Sequence, residues 1–416
     1  MRVSRISWSY FFVLSSIVTP GISGHKESQK ENVRSLRPRL KRDCGLSHTK
    51  IDGRAMCQGG ELFRESFSGS SLDMTKWSYE MIMSSEPNYE FVVLDNQLTS
   101  SVSDGSFKIK PIPYEDEFVR SGRLELTSCT GRQFTDECVK SARGFSILPP
   151  IRSARITTKN SFAFTYGKVT VRAKLPLGDW ILPEIWLEPK RRTYGPSFAS
   201  GRIRIAVARG NQDLISNQKQ KIGINYLQSG IIMGTPDKTR ARNTFEESDA
   251  GWHSDFHNFT LIWKPDEISF MIDGENKEAI IEPQDDRLSD LLGFAENESI
   301  NWKYGTKIAP FDHDFYISLG LSVGGMKDFP DDCVSGGHPK PWRNEAVKAM
   351  VNFWQDREHW LPTWSDKSTF LVDEVTFFIS LGLSVGGMKD FPDECVSDGH
   401  PKTWRNDAVK AMVNFW

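Results

Sequence analysis

Lys168-Val169-Thr170-Val171-Arg172-Ala173-Lys174-Leu175 alternates polar and apolar side chains over eight residues. Successive side chains of an extended strand point to opposite faces, so this run reads as a β-strand with one buried face. The reading extends outward. Phe91-Val92-Val93-Leu94 is β-branched and aromatic, and Ser106–Lys110 and Arg123–Thr127 alternate. Phe259–Trp263 and Ile268–Ile272 flank Lys264-Pro265-Asp266-Glu267, a turn-like tetrapeptide, and read as a hairpin. Helical periodicity is scarce, with Asn344–Phe353 the best short candidate. Many short alternating strands joined by Gly- and Pro-rich turns predict an all-β fold, an antiparallel β-sandwich or jelly roll.

The 416 residues are 38% hydrophobic and 25% charged, an ordinary globular composition with ample material for a core. Length alone allows two or three domains, but an all-β sandwich of roughly 200–250 residues can be one. A net charge of −2 gives no global field for nucleic acid or acidic lipid, so any anion-binding role needs a local patch. Thirteen Trp suit a cleft where rings stack on sugars and a sandwich core equally well.

Arg2 and Arg5 precede a mostly apolar run, Ile6–Val18, that is too short to span a bilayer, and Gly21-Ile22-Ser23 offers a small-x-small cleavage site. Residues 1–23 therefore read as a secretory signal peptide, and no later stretch is apolar enough to predict a membrane span. Residues 24–43 are charged and polar and read as a disordered basic linker. Within it, Arg39-Leu40-Lys41-Arg42 is either a convertase site or a solvated charge run.

The six cysteines include two close pairs, Cys44/Cys57 and Cys129/Cys138, whose spacings suit local disulfides in a secreted protein. Cys333 and Cys395 either pair with each other or stay free. Sequons at Asn258 and Asn297 are candidate glycosylation sites; Asn297 lies in a polar stretch, and Asn258 in a predicted strand where burial would block it.

Phe315–Trp354 recurs as Phe377–Trp416, identical at all but five of forty positions. The copy is either a tandem duplication or two alternative exons joined in one gene model. One sandwich has room for one copy of each strand, and Phe370–Phe377 reads as its closing strand. The jelly-roll domain is thus expected at 44–377, with 378–416, a partial duplicate of 316–354, outside its core.

Chemistry is read from Ser200-Gly201-Arg202-Ile203-Arg204-Ile205-Ala206-Val207-Ala208-Arg209-Gly210-Asn211. This run resembles the Ser-Gly-Glu-Ile-Asp-Ile-Met-Glu-Ser-Arg-Gly-Asn strand of laminarinase-like glycoside hydrolase family 16. Arg202, Arg204 and Val207 stand where that family carries its nucleophilic Glu, intervening Asp and acid/base Glu. Retaining hydrolysis needs two carboxyl groups about 5–5.5 Å apart. Arginine cannot accept a proton at a pKa above about 12, and valine has none to give. A bulge within the strand would return Val207 to the face of Arg202 and Arg204.

Further segments resemble the arthropod β-1,3-glucan recognition, or Gram-negative bacteria-binding, family over about Cys44–Phe377. They include Ala154–Phe162, Tyr166–Val169, Arg172–Pro176, Gly178–Trp180, Pro183–Trp186, Ala309–Asp312, Val323–Gly325, Phe329–Asp331, Pro341-Trp342 and Trp360–Trp364. The resemblance implies a glucanase-like jelly roll, polysaccharide recognition and a place upstream of extracellular serine proteases in innate immunity. The chain departs at Ile232 and Met233, where the family often has His and Trp, and at Gly320, where it has Asn. With so few residues ahead of Cys44, the family's separate N-terminal glucan-binding domain is expected to be absent.

Two readings of the arginines stand. They are drift on a strand released from catalysis, or an electropositive cleft floor that would favour lipopolysaccharide phosphates over neutral glucan. The candidate ligand-binding residues are Trp180, Glu184, Tyr194, Arg202, Arg204 and Trp342, with Trp180 expected to face the cleft and Trp186 the core. Gly320-Leu321-Ser322-Val323-Gly324 matches a nucleophile-elbow motif but lacks a following helix pattern. The eight scattered His support no metal site, and no cofactor is implied. The sequence thus predicts a secreted, non-catalytic receptor for microbial polysaccharide, β-1,3-glucan or lipopolysaccharide. A weak β-1,3-glucanase and a protein–protein adaptor are the alternatives.

Overall fold

The computed structural model describes residues 46–379, apart from 97, 236 and 237, together with 396–397 and 400–401. The expected signal peptide (1–23), linker (24–43), Cys44, Cys395 and nearly all of the repeat copy lie outside the described residues.

Ten strands build the region of interest. They are β1 (Arg155–Thr157), β2 (Gly167–Lys174), β3 (Ile181–Pro189), β4 (Arg202–Ala208), β5 (Tyr226–Gly234), β6 (Thr239–Glu247), β7 (His257–Trp263), β8 (Ile268–Ile272), β9 (Phe315–Val323) and β10 (Phe370–Phe378). In one sheet the order β9-β3-β4-β5-β6 is antiparallel throughout, with β1 also laid against β9. The second sheet runs β8-β7-β2-β10, again antiparallel. The fold is the expected all-β antiparallel sandwich. A small side sheet holds a parallel pair, Ile151–Ser153 with Val92–Leu94.

The alternation at 168–175 does what its period requires. Along β2, Val169, Val171 and Ala173 are fully buried and Lys168, Thr170, Arg172 and Lys174 are only half-buried. The buried faces of the two sheets meet through aromatic contacts: Phe164 to Phe377 at 4.3 Å between centroids and Trp263 to Phe315 at 5.4 Å. The 259–272 hairpin forms as read, closed by Lys264 N–H donating to Glu267 O.

β9 is buried at all nine positions and β3 at its first seven. Along β9 the apolar Phe315, Ile317, Leu319, Leu321 and Val323 alternate with Tyr316, Ser318, Gly320 and Ser322, and both rows are buried, so this sheet is covered on its outer side too.

The helix expected at Asn344–Phe353 begins later, at Ala349, and runs to Gln355. The preceding residues are held otherwise: Asn344 N–H donates to Asp331, and the buried Lys340 ammonium bonds Asp331, Asn344 and the Phe329 carbonyl.

Cys129 and Cys138 form the expected disulfide, with Cα atoms 5.5 Å apart. Cys57 is also disulfide-bonded. Cys333 is buried and free, and burial pushes its thiol up to about 11. Asn297 is exposed, while Asn258 is half-buried in β7 and its N–H donates to Asp273. Among the described residues no helix is long and apolar enough to cross a membrane, and no cluster could hold a metal ion.

Candidate functional site

The β4–β5 register fixes which side chains share a face. Arg202 pairs with Ile232, Arg204 with Gly230, and Val207 with Gln228, so three residues of β4 span two of β5. This is a β-bulge, and it puts Val207 back on the face of Arg202 and Arg204, as expected. Ile203 and Ile205 turn to the core. The β3 and β9 registers add Trp186, Ser318, Gly320 and Glu184 to the arginine face, and β1 adds Arg155. Of the Ile232/Met233 pair, only Ile232 lies on this face, because Met233 alternates to the other.

Each guanidinium on this face has a carboxylate. Arg202 Nε lies 2.7 Å from Glu188, and Arg204 Nη2 donates to Asp328 at 2.7 Å. Arg155 contacts Glu184 at 2.7 Å, Glu80 at 2.8 Å and Glu90 at 3.9 Å. Arg202 also stacks over the Trp186 ring at 4.1 Å and faces Phe198 at 5.1 Å. All three arginine side chains are at most 14% exposed. Of the two readings of the arginines, this pairing speaks against the electropositive floor: five carboxylates meet three guanidiniums, and a buried, paired guanidinium offers little field to an outside anion.

Glu184 is likewise not a wall of an open cleft. It is fully buried, held by Arg155 and by a hydrogen bond from Ser322. Burial pushes its carboxyl up to about 7, against the pull of Arg155. Burial also raises Glu188 and lowers Arg204, each opposed by its partner's charge. A Cβ at Gly320 would sit 2.7 Å from Glu184 Oε2 and 2.9 Å from Arg155 Cγ. The glycine is the space in which this ion pair lies. Ser322 sits inside strand β9, so the nucleophile-elbow motif has no elbow.

Trp180 and Trp342 are corrected too. Both are 2% exposed, and they pack edge-to-face at 5.0 Å, with Phe329 5.4 Å from Trp180. Trp342 Nε1 donates to the Gly325 carbonyl. The Gly-Asp turn at 178–179 carries Trp180 inward, a direction its sequence does not encode. Trp186 is buried, but on the arginine face beneath Arg202 and not on the face that Ile203 and Ile205 turn to the core.

Trp180 borders a small hollow of about 100 Å³ with Asp179, His338 and His359, while Tyr194 borders a larger one. The larger hollow, of about 510 Å³, is also lined by Arg192, Thr193, Gly195, Asn301 and Tyr304. The Tyr194 hydroxyl donates to Asp312 at 2.7 Å, its N–H donates to Ser200 Oγ at 3.0 Å, and its carbonyl accepts from Asn301 at 3.3 Å. Burial, then Asp312, raises its phenol above the ordinary tyrosine range. Tyr304, Arg192 and Asn301 escaped the sequence reading, as did the counter-charges Glu188 and Asp328. No periodicity links residues 190–205 to 300–330; only the fold brings them together.

A family model, Glycosyl hydrolases family 16, matches residues 212–290. Beta-1,3-glucan-binding protein 1 of Galleria mellonella is 40% identical over 338 residues, covering 78% of this chain and 64% of that protein. The Hyphantria cunea beta-1,3-glucan-binding protein is 38% identical, covering 80% and 71%. Gram-negative bacteria-binding protein 1 of Drosophila melanogaster is 34% identical, covering 83% and 70%. The chain thus spans about two thirds of the length of these relatives. A laminarinase catalytic domain from Thermotoga petrophila superposes with a TM-score of 0.48 at 16% identity, covering 78% of this chain and 99% of that one.

Proposed function

This chain belongs to the β-1,3-glucan-binding and Gram-negative bacteria-binding protein family, and we propose that it is a secreted, non-catalytic receptor for microbial surface polysaccharide. The carrying observation is the pairing of every arginine on the β4 face with a carboxylate. The face holds no free nucleophile at Arg202, no proton donor at Val207, and no spare positive charge for a phosphate. A glycan lacking strong charge, β-1,3-glucan before lipopolysaccharide, is the ligand class this balance favours.

Secretion rests on the signal-like residues 1–23 and on the Cys129–Cys138 disulfide, a bond that persists in oxidising compartments. We place the receptor domain at 44–377, with its closing strand running on through Phe378 to the buried Ile379, and the rest of the repeat copy outside its core, with glycans carried at Asn297 and, where the strand allows, Asn258. Extracellular serine proteases of an immune cascade are the proposed downstream partners, by analogy with the family.

The test is retention of the secreted full chain on insoluble β-1,3-glucan and on lipopolysaccharide-coated beads. Retention on glucan supports this reading. Retention on lipopolysaccharide alone overturns the preference for an uncharged glycan. Retention on neither makes the chain an adaptor that binds protein and not sugar.

A further inference from the structure

We infer that the polysaccharide is held by the hollow between Tyr194 and Tyr304, at the end of the β3–β4 loop, and not on the arginine face of β4. This rests on the polysaccharide-binding reading above and moves its site. The β4 face has no room to offer. Arg202 lies on the Trp186 ring, where a sugar face would otherwise stack, and Glu184, Arg155 and Glu188 fill the rows beside it.

The hollow has the features that floor lacks. Its volume of about 510 Å³ falls inside the roughly 300–1,000 Å³ span of small-ligand sites. Tyr304 is 87% exposed, so its ring is free to lie against the apolar face of a pyranose. Tyr194 opposite is fixed at three points: its hydroxyl by Asp312, its N–H by Ser200 and its carbonyl by Asn301. A wall already held costs little entropy when the ligand arrives. Gly305 makes this possible, because a Cβ there would run into the Tyr194 hydroxyl. Arg192 and Asn301 are exposed and supply donors for ring hydroxyls. The chemistry, one free aromatic face with planar donors at its edge, suits a hexopyranose chain.

The experiment uses the secreted full chain and measures retention on insoluble β-1,3-glucan, with competition by soluble laminarin and by lipopolysaccharide. Tyr304→Ala removes an exposed ring and should leave circular dichroism and Tm unchanged. It should weaken glucan retention about tenfold, a loss typical of an aromatic anchor. Tyr304→Trp should restore it, and Arg192→Ala should weaken it further. Full retention by a folded Tyr304→Ala variant overturns this site and leaves the receptor reading standing. Failure of the unsubstituted chain to bind glucan overturns this site and the preference for an uncharged glycan, and failure on lipopolysaccharide as well overturns the receptor reading. Loss confined to lipopolysaccharide binding overturns the uncharged hexopyranose as its ligand.

Discussion

The Arg202 guanidinium lies 4.1 Å above the Trp186 ring, while its Nε sits 2.7 Å from Glu188 on the neighbouring strand. One side chain thus covers an aromatic face and balances a buried charge. A buried guanidinium that pairs with Glu188 and lies on the Trp186 ring leaves that ring no open face for a sugar.

Arg202→Ala leaves Glu188 buried without its partner and uncovers Trp186. Breaking a buried pair from one side costs roughly 3–5 kcal/mol. Urea unfolding should show a loss of about 3 kcal/mol. The double variant Arg202→Met/Glu188→Gln, which removes both charges at similar volume, should recover most of it. Equal loss in single and double variants would mean that the pair contributes nothing and only the stacking matters.

Glu184 gives the stability a pH dependence. Its folded carboxyl is pushed up to about 7 by burial, above its unfolded value. The folded state therefore holds the proton more tightly, and this contribution is fully present below the unfolded pKa and lost as pH rises through about 7. The slope is limited to about 1.4 kcal/mol per pH unit for one proton. Tm measured from pH 5 to pH 8 should fall for the native chain and fall less for Glu184→Gln. Parallel curves would reject this assignment.

Incubation with laminarin should release no reducing ends at any pH between about 5 and 8. The carboxylates nearest the β4 face are tied to arginines, and neither Arg202 nor Val207 can do acid–base work. Release that Glu184→Gln abolishes would instead identify a glucanase that uses a displaced acid.

The free thiol at Cys333 is buried, and its pKa is pushed up to about 11, so almost no thiolate forms near neutral pH. In a full-length Cys395→Ala chain, Ellman's reagent should find no reactive thiol while the protein is folded. It should find one after denaturation without reductant. Three would show that one disulfide, that of Cys57 or Cys129–Cys138, is unformed.

Several local features were legible before any coordinates. The alternation at 168–175, the 259–272 hairpin and the Cys129–Cys138 bridge follow from short-range periodicity or spacing, whereas the bulge that returns Val207 to the face of Arg204 was implied by the family resemblance. The site was less so. Trp180, Glu184 and Trp342 carried the right residue types, but burial decides their role, and burial is set by what packs over them from elsewhere in the chain.

By itself the sequence determined the strands, the sandwich, the family and the absence of carboxylates at 202, 204 and 207, because each is a property of a continuous stretch. Only the tertiary structure decided the sign of the β4 face and the place where a ring remains free. Glu188, Asp328 and Glu184 reach the arginines from other strands and loops, and Tyr304 meets Tyr194 across more than a hundred residues. Charge balance and exposure are sums over neighbours in space, so a linear pattern names the candidates while packing determines which of them can meet a ligand.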